Sequence, residues 1–165
     1  MLKENKVKLP YSLYIVNAVQ EEVGLNGAAM IAHSIKPNMA IITDVCHDTT
    51  TPMINKKSEG EIHMGKGPVL SVAPSVHNKL LDFVLQIAIK KNIPYQMEAL
   101  SRSTGTDTDA FFKASGGIPS LLISLPQRYM HTTVESVHRD DVENVIRLFY
   151  ETIIAITPNF NFKYL

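Results

Sequence analysis

The feature that most constrains this chain is alternation. Short apolar runs rich in branched and aromatic residues take turns with segments of helical period, punctuated by glycine and proline. Met39 to Val45, Val69 to Val72, Tyr95 to Leu100 and Ser120 to Leu125 have the length and composition of strands. Pro119 and Pro126 bound the last of these. Ser12 to Val19 (SLYIVNAV) reads as a further buried strand, followed by a Gly24-Leu25-Asn26-Gly27 turn and a short helix over Ala28 to Ser34. Leu80, Leu81, Val84, Ile87 and Ala88 recur on one face of a helix. Ser75 stands where an N-cap belongs, Lys90 and Lys91 sit where the dipole favours cations, and Pro94 forbids continuation. Asp107 to Ser115 reads as a helix closed by Gly116-Gly117. The last helix runs from near Asp140 to about Ile156, with Val142, Val145, Ile146, Phe149 and Ile153 as its apolar stripe and Pro158 as its stop. Such alternation predicts an α/β layered fold, with helices covering a parallel or mixed sheet in a single domain over residues 1–165.

Composition narrows the function classes. Hydrophobic residues make up 45% of the 165, enough for a real core and too many for a disordered chain. Lysine plus arginine and aspartate plus glutamate each total 16, so the basic excess of a nucleic-acid binder is absent. No apolar run approaches the length that spans a bilayer, and the first residues lack the apolar centre of a signal peptide. The lone cysteine, Cys46, leaves no intrachain disulfide. The expectation is a cytoplasmic protein with no membrane or nucleic-acid partner.

In layered α/β folds chemistry gathers beyond strand ends. Three polar clusters occupy such places: Gln20-Glu21-Glu22, Asp44 with His47 and Asp48, and Arg128 to His131. Adjacent Glu21 and Glu22 repel unless a cation compensates, and one can then bind a metal while the other handles a proton. They read equally as a solvated pair at a strand end. Asp44 suits a hard or borderline cation, or a turn. His131 suits zinc, or an ordinary surface hydrogen bond, and Glu135 is placed to bond its free ring nitrogen or to open a helix. His138-Arg139-Asp140 has metal-binding spacing, yet Asp140 and Asp141 open a helix, so capping and dipole compensation explain them better. His33, His63 and His77 read as structural or exposed. Gly65-Lys66-Gly67 lacks the rest of a phosphate loop, and Cys46 has no nucleophile context.

Taken together, the motifs resemble a known family. Val19-Gln20-Glu21-Glu22-Val23-Gly24-Leu25-Asn26-Gly27-Ala28 closely resembles the signature of glutamyl and deblocking aminopeptidases, the TET-like cocatalytic metallopeptidases, some of which carry an endoglucanase label. In family order follow Ile42-Thr43-Asp44 with Thr51-Pro52, Gly65-Lys66-Gly67-Pro68, Gly105-Thr106-Asp107 with Gly117-Ile118-Pro119, and Pro126-Gln127-Arg128-Tyr129-Met130-His131 with Glu135.

The resemblance implies a three-layer sandwich with a mixed sheet, zinc-exopeptidase-like, of which this chain matches the C-terminal half. It implies that Glu21 is the general base for a metal-bound water, that Glu22 and His131 bind one metal and Asp44 the other, and that the pair of divalent ions is zinc or cobalt. Asp107, Arg128 and Glu135 are then supporting or substrate-contacting residues. The substrate is a peptide, cut after its N-terminal residue. Family members carry an earlier half with a histidine ligand in an H-x-D motif, an aspartate bridging the metals, and an inserted β-domain. None of these matches here, so the metal site is expected to be incomplete. The chain is expected to form a homo-oligomer, to pair with a complementing N-terminal chain, or to be a fragment of a longer protein. The competing readings are a noncatalytic oligomerisation or binding module, and an amidohydrolase using the same chemistry on another amide. A sugar-cleaving role finds no support, since tryptophan is absent. Lys66, Arg102, Lys113 and Arg128 are the cations that could greet an acidic substrate side chain.

Overall fold

The computed structural model describes residues 1–162. Its elements in chain order are α1 (Asn26–Ile35), β1 (Ala40–His47), α2 (Lys56–Glu59), β2 (Val69–Val72), α3 (Asn78–Lys90), β3 (Gln96–Ala99), α4 (Thr108–Lys113), β4 (Ser120–Arg128), β5 (Ser136–Val137) and α5 (Arg139–Ala155). The sheet is mixed, in the order β1-β4-β2-β3, with β5 pairing the far end of β4. β1 runs parallel to β4 from Ala40 opposite Ser120 to His47 opposite Gln127. β2 is antiparallel to β4 and parallel to β3.

β4 is the axis of the molecule. Leu121, Leu122 and Ile123 are almost wholly buried, as a strand covered on both faces requires. On one face Leu70 and Ile123 lie side by side under α3, whose Leu80, Leu81, Val84, Ile87 and Ala88 enter the same cluster. α5 packs there too, through Leu148. On the other face α1 and α4 bring Ala28, Ala32 and Phe111 against Ala40 and Ile42. Helices thus cover both sides of the sheet, which is the three-layer sandwich expected. Each large core side chain contributes roughly 1.5–3 kcal/mol by leaving water.

Four sequence expectations need correction. Ser12 to Val19 forms no strand, and Tyr14, Ile15 and Val19 are 63%, 92% and 67% exposed. An apolar run becomes a buried strand only where a neighbouring strand accepts its hydrogen bonds, and none of the described strands lies beside it. Pro126 does not bound β4 but lies within it. β2 pairs only as far as Ser124 and β5 begins at Gln127, so the amide that proline lacks falls in the gap between two antiparallel partners. The N-cap of α3 is His77, whose Nδ1 accepts from Leu80 N at 3.4 Å, and not Ser75. At α5 the cap is His138, which accepts from the Asp140 amide, while Asp141 turns inward and is fully buried. The inner line of α5 is Asp141, Leu148 and Thr152. Its predicted stripe is therefore only part covered: Val142, Val145 and Ile146 line an open apolar groove with Thr43 and Leu125.

Candidate active site

The segment carrying Glu21 and Glu22 is folded onto the start of α1 by backbone bonds. Gly27 N donates to Val19 O at 3.0 Å, and Gly24 N and Leu25 N both donate to Glu21 O. The approach at Gly27 is so close that a Cβ there would stand 2.4 Å from Val19 O, so only glycine fits. Gln20, Gly24 and Leu25 have positive φ, which gives the tight reversal that presents two successive glutamates.

His131 sits in the turn leaving β4, flanked by Tyr129, and both residues have positive φ. Its Nε2 lies 3.1 Å from Glu22 Oε1. Glu135 accepts from the backbone N–H of His131 at 2.6 Å, so it fixes the turn rather than the ring. Asp44 lies in the middle of β1, since that strand runs on to His47 rather than ending before it. One Asp44 oxygen accepts from Val45 N at 2.8 Å. Asp107 precedes α4, and its buried Oδ1 has no hydrogen-bond partner.

Glu21, Glu22, Asp44 and His131 all line an open cleft of about 220 Å³, whose lining includes neither Asp107 nor Glu135. Their electrostatics are those of a site awaiting positive charge. Burial raises the Glu21 carboxyl above the ordinary glutamate range, and Asp44, Glu22 and Asp107 push the same way against the opposing pull of His131. Burial raises Asp44 too, with the Val45 amide opposing and Glu22 adding to the rise. Asp107 is raised by burial and then by Asp44. Carboxylates raised in proton affinity by burial and by neighbouring negative charge mark a functional site more often than a structural one.

Arg128 lies outside the cleft lining. Its Nη2 approaches the Tyr129 hydroxyl at 3.3 Å and its guanidinium carbon stands 5.1 Å from the Tyr129 ring centroid. His47 does line the cleft, as the sequence clusters suggested. Cys46 lines it as well, its thiol pushed far up by burial and by surrounding carboxylates, which leaves it inert as a nucleophile at neutral pH.

Carboxylates and an imidazole are the donor types that zinc and similar divalent ions take. In number they fall short. Glu22 and His131 form a pair, Asp44 stands apart, and no three such side chains among the described residues gather around one point. The chain's donors suit a divalent ion in kind and do not complete a site for one.

Three other carboxylates have structural roles that sequence reasoning missed, although Asp48 stood in a strand-end cluster and Asp141 was read as opening a helix. Asp48 is 3% exposed and accepts from Met64 N as well as from Thr50. Asp141 accepts from Gly65 N and Gly67 N, and so pins the glycine-rich loop. Glu98, inside β3, is bonded to Ser71 on β2. An acidic residue within an apolar run was the available signal for Glu98. The partners of the other two lie in distant loops.

Residues 1–148 match the M42 glutamyl aminopeptidase family. The lysyl aminopeptidase of Pyrococcus furiosus is 40% identical over 146 residues, covering 88% of this chain and 41% of that protein. The TET aminopeptidase of the marine sediment archaeon Thaumarchaeota archaeon SCGC AB-539-E09 superposes with a TM-score of 0.87 at 34% identity, over 95% of this chain and 44% of that one. The Pyrococcus horikoshii TET1 peptidase, described as assembling into a tetrahedron or a large octahedral shell, gives a TM-score of 0.64 at 30% identity over 82% of this chain and 39% of that one. The chain thus spans less than half the length of the relatives it matches. With the Glu21-Glu22 reversal, Asp44 on β1 and His131 in the turn beyond β4, this chain belongs to the M42 glutamyl aminopeptidase family.

Proposed function

We propose that this chain supplies the base and part of the metal-ligand set of an aminopeptidase, which removes the first residue of a peptide. The observation that carries this reading is the cleft lined by Glu21, Asp44 and the Glu22–His131 pair, where burial and then Asp44, Glu22 and Asp107 raise the proton affinity of Glu21. Glu21 is the base. A carboxylate with a raised affinity for protons takes one from the attacking water more readily than an ordinary glutamate, and can return it to the leaving amine. Glu22, His131 and Asp44 are the ligands, for zinc or cobalt. When bound, the ions would polarise the scissile carbonyl and neutralise charge on the water. The Glu135 contact to the His131 amide holds the turn that carries the imidazole.

The missing donors come, in this reading, from outside these residues: a second copy, a complementing N-terminal chain, or further parts of a longer protein. The exposed run at Leu13 to Val16 and the open groove on α5 are apolar surfaces consistent with such a contact. The cellular setting proposed is the cytoplasm. The shortage of donors favours one alternative, a noncatalytic binding module.

Hydrolysis of an aminoacyl-anilide panel with added zinc or cobalt decides between them. Turnover that a chelator abolishes, and that Glu21→Gln removes, supports the peptidase. If neither the chain nor its mixture with an N-terminal half from a relative cleaves any member, the noncatalytic module is the correct reading.

A further inference from the structure

One wall of the cleft belongs to no strand or helix. Thr104, Gly105 and Thr106 line it, within the connection 100–107 between β3 and α4. Loops of this kind are the mobile parts of a fold unless something fastens them. Here the fastening is Asp109, in the first turn of α4. It is 7% exposed and lies outside the cleft lining. Its Oδ2 accepts from Thr104 N and from Gly105 N, each at 3.0 Å, and its Oδ1 accepts from Thr104 N at 3.2 Å. Gly105 has a φ of 70°, and a Cβ built on it would meet nothing within 4 Å, so glycine is there for the turn and not for space. The turn aims two successive amides at one carboxylate, which is how backbone nests hold anions.

The threonines fasten the same wall a second way. Thr106 Oγ1 donates to Thr108 Oγ1 at 3.0 Å, and Thr104 Oγ1 stands 3.0 Å from Thr106 Oγ1. Thr106 has then used its one hydroxyl proton, so Thr104 is the donor in the second bond. Thr108 is fully buried on α4, and Phe111 of that helix packs with Ala28 and Ala32 of α1. Since α1 begins at the glutamate reversal, this packing sets the reversal and the wall in one frame. The wall ends beside the catalytic carboxylates. Asp107, the residue after Thr106, adds to the raised proton affinity of Glu21 and is itself raised by burial and then by Asp44.

We propose that Asp109 is a positioning residue for peptide binding, which sets the width of the cleft by holding Thr104 and Gly105 in place before the substrate arrives. The inference rests on the peptidase reading and concerns how that site takes its substrate. Because Asp109 lies outside the cleft, it acts through the wall, on affinity and not on the chemical step. A wall ordered in advance removes from binding the entropy of ordering it. A loosened wall must be ordered by the substrate, which raises KM and leaves kcat in place.

The test is hydrolysis of an aminoacyl-anilide by the assembled enzyme, the chain together with the parts that complete its site, with KM and kcat separated. Amide hydrogen exchange is read on the same protein. Asp109→Asn keeps the shape of the side chain and weakens its hold on the two amides. It should raise KM by ~10-fold and keep kcat within about twofold. The Thr104 and Gly105 amides should exchange faster by on the order of 10-fold, while those of Leu122 and Ile123 in β4 stay as slow as in the wild type. Gly105→Ala strains the turn and leaves Asp109 untouched. It should give the same rise in KM, and it decides the matter if Asp109→Asn does not fold. A purely structural role would lower the amount of folded enzyme, and so the apparent kcat, at unchanged KM. That result, or Thr104 and Gly105 amides that exchange no faster, overturns the proposal. A wild-type assembly that cleaves no anilide defeats the peptidase reading and this role with it. Turnover by the wild type with KM unchanged in the variants removes only the role of Asp109.

Discussion

Two sets of acidic residues in this protein, one buried and one only half-buried, differ in what surrounds their charge. Asp48, Asp109 and Asp141 are 3%, 7% and 0% exposed, and each accepts backbone N–H groups: Met64 and Thr50, Thr104 and Gly105, Gly65 and Gly67. Despite burial, the hydrogen bonds hold Asp48 and Asp109 below the usual aspartate range. Glu21, Asp44 and Asp107 are pushed above theirs by burial first and then by neighbouring carboxylates. Burial alone therefore does not mark a functional carboxylate. What the surroundings offer the charge decides it: amides in the first set, further negative charge in the second.

The comparison can be broken at several points. The largest effect belongs to the second set. Glu21→Gln should lower turnover of the assembled enzyme by roughly 10²–10⁴-fold while leaving the thermal midpoint unchanged or higher, as read by anilide hydrolysis and calorimetry on the same sample. An intact rate would move Glu21 out of the catalytic role. In the first set, Asp141→Ala strands two loop amides and should destabilise by about 2–4 kcal/mol in a denaturant titration. A cost near zero would show that the glycine-rich loop holds itself.

A smaller effect of opposite sign is expected at Asp44. A carboxyl whose proton affinity is raised on folding contributes stability that is full below its unfolded value and lost as pH rises through its folded value. Asp44→Asn should therefore stabilise the chain at neutral pH, by up to about 1 kcal/mol, and leave its stability below about pH 4 unchanged. Asp48 and Asp109 run the other way: their contribution is present above the unfolded value and lost as pH falls through the lowered folded one. Acid unfolding of the wild-type chain monitored by circular dichroism should thus deepen below about pH 4, and Asp48→Asn should flatten that limb. The smallest effect is Ile15→Ser, within about 0.5 kcal/mol for the chain alone, since the residue is 92% exposed. A much larger loss would mean that Leu13 to Val16 is covered in solution.

Much of this was legible in the sequence, for reasons that particular residues show. α3 was plain because Leu80, Val84 and Ile87 enforce one period and all are buried. β2 was bounded correctly because Pro68 and Ala73-Pro74 frame it. Ser12 to Val19 misled because an apolar run looks the same with or without a neighbouring strand. Pro126 misled because its tolerance depends on where the ladders of β2 and β5 stop. At the site, Glu21, Glu22, Asp44 and His131 were named in advance and line one cleft. Asp141 was read only as a helix opener, because its amide partners at Gly65 and Gly67 are 76 and 74 residues away, a closure that no local pattern encodes.

The unpaired run Leu13-Tyr14-Ile15-Val16 also bears on how this protein behaves in a tube. Extended, apolar and rich in β-formers, it has the makings of a nucleus for intermolecular sheet growth. Just upstream stand Lys3, Lys6 and Lys8, whose like charges would crowd together in any stack of identical strands. Solubility of the isolated chain is thus a contest between four apolar side chains and three ammonium groups. High ionic strength, which screens the lysines and strengthens apolar association, is the condition under which it should first turn cloudy.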